Sequence, residues 1–238
     1  MFLHLIIQPC LGVLLGGALL AGPAQPGATA GQPGEKPKPL TAEQQARLKE
    51  GNHLAAEAKK LYQMGKLAEA VAAWQKKLAI DREVYGDVHE QVAQSVAELA
   101  RIHELREDFP AARKARKEAL AIRVKLHGEK DWRVTDARLD LEDGDRLSKL
   151  TAEGRRRLRQ AAALNEQVFS LWQRGRAREA LPLARQALAI RRELLGEEHR
   201  ASILSAFNLA AQYHGLQRFA DAKPLYERAR SNRGRAWR

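Results

Sequence analysis

The sequence is poor in the residues on which several classes of protein depend. It has one cysteine, Cys10, among 238 residues, so no internal disulfide can form. Aromatic residues make up only 5% of the chain, while alanine, leucine, glutamate, arginine and lysine are abundant. Unbranched side chains lose little freedom in a helix, so this mixture favours helices over sheets.

The first 30 residues contain no lysine, arginine, aspartate or glutamate. An apolar run at 11–21 is followed by Ala-Thr-Ala at 28–30, the pattern of a secretory signal peptide with its cleavage site. The run is shorter than the roughly 20 apolar residues of a membrane span. We therefore predict a signal peptide over 1–30 and export to the periplasm or the extracellular space. Because no basic residue precedes the run, an uncleaved N-terminal membrane anchor stays open as the alternative.

Proline and glycine are frequent at 31–40, which predicts a flexible linker before the folded part. The formal net charge is +12, a balance that suits nucleic acid, an anionic surface or an acidic protein partner. The basic clusters, however, are poor in aromatic residues and mixed with acidic ones, which favours solvated helix faces over a nucleic-acid site. These clusters are Arg113/Lys114/Arg116/Lys117, 155–159 and 228–238.

Internal repetition is the strongest feature of the sequence. The triplet Leu-Ala-Ile occurs at 78–80, 120–122 and 188–190, and a glycine follows each isoleucine after six residues. Two periods emerge: a short one that carries Leu78 onto Leu120, and a long one that carries Thr41 onto Thr151. We call the second the long period. It divides the chain into a first unit (41–150), a second and incomplete unit (151–230) and a basic tail (231–238).

Within each unit, apolar residues recur with helical spacing, and small and aromatic residues alternate at fixed distances. The positions that carry this second pattern are Ala100, His103, Ala112, Ala119, Ala210, Tyr213, Ala222, Tyr226 and Ala229. The pattern resembles the tetratricopeptide repeat, and the short, 42-residue period is similar to the kinesin light chain subtype. Glu90 and Arg200 depart from that subtype, which usually has proline there, and 131–175 fits the period poorly. The resemblance implies an all-α superhelical solenoid of antiparallel helix pairs over about 41–230.

Catalytic and metal-binding patterns are missing from the sequence. Neither His89 nor His103 is followed by the second histidine of a zinc-binding H-E-x-x-H helix. His89 and His199 recur near the start of predicted helices, which suggests a role in capping or in turn geometry. The acidic stretch 140–145 lacks the glycine and glutamate spacing of a calcium-binding EF-hand loop, so a solvated helix end is favoured. We predict no enzyme, no cofactor and no metal.

The resemblance implies that proteins or peptides bind on the concave face of the solenoid, and the net charge suits acidic ones. Gln94, Arg101, Asn208 and His214 are the residues expected to face that groove. Asn208 lies in the segment 207–210, which resembles the groove helix of the family, where such an asparagine can hold an extended peptide backbone. The predicted function is therefore a protein–protein interaction scaffold.

Two alternatives remain at this stage. No capping helix is expected after the last predicted helix (219–230), so Leu225, Tyr226 and Ala229 would be exposed. That would suit self-association, or a truncated, non-catalytic N-terminal part of a larger exported enzyme. The second alternative is a basic protein that binds nucleic acid or an anionic surface. A membrane is expected as a partner only through an uncleaved N-terminal segment.

Overall fold

A computed structural model describes residues 39–236, with side chains up to Ser231. Across this range the chain forms nine α-helices and no strand, which confirms the predicted all-α class. The predicted signal peptide and residues 31–38 of the linker lie outside the described residues. The helices are α1 (Ala42–Gln63), α2 (Leu67–Tyr85), α3 (Glu90–Leu105), α4 (Phe109–His127), α5 (Trp132–Lys149), α6 (Ala152–Gln173), α7 (Ala177–Leu195), α8 (Arg200–Gly215) and α9 (Phe219–Ala236).

The helix bounds repeat with the long period. Shifted by that period, α1 has the same first and last positions as α6, and the same shift carries α2 onto α7 and α3 onto α8. The first residue of α4 is likewise carried onto the first residue of α9. α5 occupies part of the segment that fitted the 42-residue period poorly, so that segment contains an extra helix and the start of the second copy. In residues 39–236, the long period gives α5 no counterpart, although the 42-residue period carries the first residue of α3 onto the first residue of α5.

The chain forms two compact units, one ending at Lys149 and the other beginning at Leu150. We call the described parts the N-terminal unit (39–149) and the C-terminal unit (150–236). In each unit, consecutive helices pack on one another as antiparallel pairs joined by short turns. Among residues 39–236, none of the helices is both long and apolar enough to cross a membrane.

Side chains cap the first helix of every pair. Thr41 and Thr151, which the long period relates, accept hydrogen bonds from the backbone N–H groups of Gln44 and Gly154 at 3.1 Å. Only Thr41 has the full capping box, because the Gln44 side chain also accepts from the Thr41 backbone N–H at 3.0 Å. These bonds satisfy N–H groups that have no partner within the helix.

The two recurring histidines have the predicted capping role. The Nδ1 atoms of His89 and His199 accept from the backbone N–H groups of Gln91 and Ala201 at 3.1 Å. His89 is only 3% exposed and stacks on Tyr85, with ring centroids 4.2 Å apart. The residues that begin α3 and α8 are therefore fixed in the same way in both units.

The second helix of a pair ends at a glycine where the sequence predicted it. Gly86, Gly128 and Gly196 follow α2, α4 and α7, with φ between 78° and 88° and ψ between 160° and 171°. This region of backbone conformation is essentially limited to glycine. The three glycines thus end three helices with one geometry.

Each unit has its own apolar core. In the N-terminal unit, the core residues lie on α2, α3 and α4, and Leu61 and Tyr62 of α1 pack against them. In the C-terminal unit, the larger cluster joins α6, α7, α8 and α9. Alanines such as Ala58, Ala100 and Ala210 are fully buried where paired helices meet, because a small side chain lets two helices approach closely.

The prediction that Leu225, Tyr226 and Ala229 form an exposed apolar face on the last helix is wrong. Ala229 is only 7% exposed, and Leu225 and Tyr226 pack against the core of the C-terminal unit. The ring of Tyr226 also meets the edge of Phe207 on α8, with centroids 5.2 Å apart. α8 covers this face because α9 is its antiparallel partner. The helix also continues to Ala236, beyond the predicted end at 230.

Candidate partner-binding surface

The two predicted groove residues of the N-terminal unit lie on α3. Gln94 is exposed and makes no side-chain hydrogen bond within the described residues. Arg101 pairs with Glu98 at 2.8 Å, and its guanidinium carbon lies 4.8 Å from the centroid of the Tyr62 ring. Arg101 is thus held by its own helix and by α1, which leaves Gln94 as the less constrained of the two.

The two predicted residues of the C-terminal unit lie on α8. Asn208 is half-buried, and its Nδ2 donates to Oδ1 of Asn165 on α6 at 3.4 Å. Its backbone carbonyl also accepts from the Gln212 side chain at 3.3 Å. His214 is exposed, and its ring meets Phe219 edge to face at 5.2 Å. Asn208 therefore belongs to a polar contact between α6 and α8, whereas His214 lies at the end of α8.

Asn208 is the outermost member of a polar network that crosses three helices of the C-terminal unit. Arg191 on α7 donates from Nη1 to the Ser205 hydroxyl at 2.9 Å and to the Ala201 carbonyl at 3.1 Å. Asn165 donates from Nδ2 to the same Ser205 oxygen at 2.9 Å. We call Asn165, Arg191, Ser205 and Asn208 the Arg191 network.

Arg191 carries a charge into a buried position. It is 4% exposed, and burial lowers the pKa of its guanidinium to about 10, so it is still protonated at neutral pH. No carboxylate of residues 39–231 pairs with it; its partners are a hydroxyl and a carbonyl. A buried cation without a counter-ion is costly, and hydrogen bonds to neutral groups offset that cost only in part.

The equivalent place in the N-terminal unit is occupied differently. Asp81, which the long period carries onto Arg191, pairs with Lys77 at 2.6 Å. Ser95, the counterpart of Ser205, donates to Asp81 at 2.5 Å and accepts from Lys77 at 3.1 Å. The charges of Lys77 and Asp81 cancel within this cluster, and each of its three side chains has a hydrogen-bond partner inside it.

Two polar atoms of α8 lack hydrogen-bond partners although they are buried. Among the described residues, Ser202 Oγ and Gln212 Oε1 are unpaired, and the two residues are 1% and 2% exposed. Their counterparts on α3 are Val92 and Ile102, both fully buried apolar residues. At these two buried positions α8 is therefore polar where α3 is apolar, and we call Ser202 and Gln212 the polar stripe of α8.

Sequence reasoning missed Asn165, Arg191 and Ser205. The long period offers a signal that could have found Arg191, because it aligns an arginine with Asp81 inside otherwise matching helices. Nothing in the local pattern around Asn165 marks it, since its partners lie 40 and 43 residues away.

A cavity of about 590 Å³ lies in the N-terminal unit between the start of α4 and the end of α5. Both arginines that line the cavity already form ion pairs. Arg113 pairs with Asp145 at 2.8 Å, and Arg116 pairs with Glu104 at 3.0 Å. These pairs compensate the charges of both arginines within the N-terminal unit. The lining residues are Glu104, Phe109, Pro110, Ala112, Arg113, Lys114, Arg116, Lys117, Leu141, Gly144, Asp145 and Ser148.

The acidic stretch 140–145 is part of α5 and not a solvated helix end. Asp140 and Asp145 lie near Arg116 and Arg113 of α4, at 3.4 and 2.8 Å, so they join two helices by ion pairs. In the part of the chain that the structure describes, no three histidine, cysteine, aspartate or glutamate residues come together as metal ligands would.

The sequence profile of the tetratricopeptide repeat matches residues 56–124 and 159–234, more than half of the chain. The chain belongs to the tetratricopeptide repeat family. This confirms the resemblance carried by the small and aromatic residues of α3, α4, α8 and α9.

Solved structures similar to this chain include a putative kinesin light chain from Podosopora anserina with nearly identical repeats. That protein is 21% identical over 79% of this chain and 96% of its own, with a TM-score of 0.36. BtubC (BKLC) from P. vanneervenii is also 21% identical, over 77% of this chain, with a TM-score of 0.36. This chain spans 63% of the length of BtubC. No protein with curated annotation matches the sequence.

Membership of the family supports a general function. Tetratricopeptide repeats bind protein partners, and their fold typically serves as a non-catalytic scaffold. Family membership thus supports a protein-interaction scaffold in general terms.

Proposed function

We propose that the chain binds an extended peptide segment of a partner protein along α6 and α8 of the C-terminal unit. The observation that carries this proposal is the Arg191 network, whose half-buried outer member, Asn208, has a side-chain oxygen for which residues 39–231 supply no donor. A peptide backbone has the donors and acceptors that would pair with polar groups along these two helices.

The charge of the chain supports a preference for acidic segments. The net charge of the chain is +12. An acidic partner would be attracted over a long range, and added salt would slow its association. In the N-terminal unit, Gln94 and Arg101 of α3 stay the predicted groove residues.

A protein partner is preferred over nucleic acid because the arginines of the basic cluster 155–159 have local partners. Arg157 pairs with Glu193 at 2.5 Å, Arg156 pairs with Glu153, and Arg155 donates to the Leu150 carbonyl. A cluster paired in this way offers few free charges for phosphates.

The proposal can be tested by selecting short peptides from a random phage-displayed library on the full chain. We expect enrichment of acidic sequences and a loss of binding in Asn208→Ala. Asn52→Ala is the matched control, because Asn52 is an exposed asparagine of α1 outside the proposed surface. Equal enrichment on the wild type and Asn208→Ala would contradict the assignment of the peptide to α8.

We propose in addition that the chain is exported, on the basis of the apolar run and the Ala-Thr-Ala at 28–30. Expression in a bacterial host followed by N-terminal mass analysis tests this. Export predicts a product in the periplasmic fraction that begins after Ala30. An intact chain in the membrane fraction would favour the N-terminal anchor, and an intact chain in the cytoplasm would contradict both.

A further inference from the structure

We propose that Arg191 is a positioning residue, which acts through Ser205 and Asn165 to present the Oδ1 atom of Asn208 to a ligand N–H group. This inference rests on the proposed function, since it assigns the chemistry that Asn208 offers to the peptide.

The first step is the direction of the hydrogen bonds at Ser205. A guanidinium can only donate, so the 2.9 Å contact from Arg191 Nη1 takes one lone pair of the Ser205 oxygen. Asn165 Nδ2 donates to the other lone pair, also at 2.9 Å. In this arrangement Ser205 accepts two bonds, and the Asn165 amide has its nitrogen towards Ser205.

The second step follows from the orientation of Asn165. With Nδ2 directed at Ser205, Asn165 leaves its Oδ1 for Asn208, which donates from its own Nδ2 at 3.4 Å. The contact is long and therefore weak, but it is the one hydrogen bond that the Asn208 side chain makes within residues 39–231. Asn208 then keeps one free polar atom, Oδ1, for which residues 39–231 supply no donor. An oxygen in this orientation accepts from a backbone N–H of an extended peptide.

The N-terminal unit lacks this relay. The counterparts of Asn165 and Asn208 are Ala55 and Glu98, and the counterpart of Arg191 is Asp81, which pairs with Lys77. The serine is present in both units, but only in the C-terminal unit does it connect a cation to a pair of asparagines. The inference therefore applies to α6–α8 alone.

The first test needs no ligand. The side-chain amide ¹H–¹⁵N signals of Asn165 and Asn208 would be measured by NMR in the full chain, assigned by their loss in Asn165→Asp and Asn208→Asp. We expect Arg191→Met and Ser205→Ala to shift both signals, and Arg191→Lys to restore them in part. Lys77→Met is the control, because it removes a buried cation from the N-terminal unit. Unchanged Asn208 signals in Arg191→Met and Ser205→Ala would overturn the inference.

The second test uses a peptide taken from the library selection. We expect Arg191→Met and Ser205→Ala each to weaken its binding by about tenfold, the effect of one poorly made hydrogen bond. The double variant should bind no more weakly than either single variant, because both act on the same bond to Asn208.

The outcomes separate the two proposals. Loss of binding in Asn208→Ala with unchanged binding in Arg191→Met and Ser205→Ala would overturn the relay and leave the peptide site intact. Unchanged binding in all three would contradict the site itself. If the library yields no peptide, the NMR signals decide the relay on their own.

Discussion

Asp81 and Arg191 occupy equivalent positions on α2 and α7, and they carry opposite charges. They are 2% and 4% exposed, and each bonds to the serine that corresponds in its own unit, Ser95 or Ser205. Asp81 is neutralised by Lys77, whereas Arg191 is held by neutral groups alone. The same packing position thus has a compensated charge in one unit and an uncompensated charge in the other, where the network continues to the half-buried Asn208.

Removing the cation from the paired cluster should destabilise the N-terminal unit strongly. In Lys77→Met, Asp81 would keep its bond to Ser95 but lose its counter-ion in a buried position. Breaking such a buried pair costs about 3–5 kcal/mol. Urea denaturation of the full chain, followed by circular dichroism, measures this as a lower midpoint for the N-terminal unit.

The neighbouring Lys76 provides the control for that experiment, because it is exposed on the same helix. Lys76→Met should change the midpoint little. A second variant, Lys77→Met with Asp81→Leu, replaces the pair by apolar groups and should recover most of the loss. A loss as large in Lys76→Met as in Lys77→Met would show that burial of the ion pair is not the cause.

The polar stripe of α8 should reduce the stability of the C-terminal unit. Ser202→Val introduces the residue that α3 has at the equivalent position, Val92, and removes a buried hydroxyl without a partner. We expect stabilisation by about 1–3 kcal/mol. The reciprocal change, Val92→Ser, should destabilise the N-terminal unit by a similar amount. Thermal unfolding of both variants checks the two signs, and stabilisation by both would contradict the explanation.

Much of the fold could be predicted because its signals are local in sequence. Glycine at 86, 128 and 196 marks helix ends through the backbone conformation that it alone adopts easily, and Thr41 marks a helix start through its own side chain. The long period then extended these local signals to the second copy. The sequence also placed Asn208 on the correct helix.

The rest depends on contacts between helices that no local pattern records. Asn165 meets Ser205 across 40 residues, and neither residue is marked by its neighbours in sequence. The same limit explains the error at Leu225 and Tyr226. Periodicity identifies the apolar face of α9 but does not tell which helix covers it, and α8 is that helix.

The glycine after α4 provides a test of the helix ends. Gly128 has φ 78° and ψ 160°, and a Cβ there would meet no atom within 4 Å. In Gly128→Ala any loss therefore comes from backbone strain, about 1–3 kcal/mol. Gly51→Ala in the interior of α1 is the control of opposite sign, since alanine favours a helix by about 1 kcal/mol. Thermal unfolding measures both, and equal shifts in one direction would contradict the assignment.

An ion pair between the two helices of a pair recurs in both units. Arg47 of α1 pairs with Glu83 of α2 at 2.6 Å, and at the equivalent positions Arg157 of α6 pairs with Glu193 of α7 at 2.5 Å. Hydrogen bonds from the arginines lower the pKa of both glutamates, and desolvation opposes this to a smaller extent. Because these pairs lie at the surface, their contribution to stability is small and depends on salt.

Acid should remove the contribution of Glu193. Its pKa is lower in the folded chain than in the unfolded chain, so the stability it contributes is complete above the unfolded value, about 4.3, and is lost as the pH falls through the folded value. The urea midpoint of the wild type should therefore exceed that of Glu193→Gln near pH 6 and approach it near pH 3. Glu166 gives the opposite sign, because desolvation raises its pKa. Glu166→Gln should be the more stable chain at pH 6, and this advantage should disappear in acid. Parallel curves for Glu193→Gln and the wild type would show that the pair with Arg157 contributes nothing in solution.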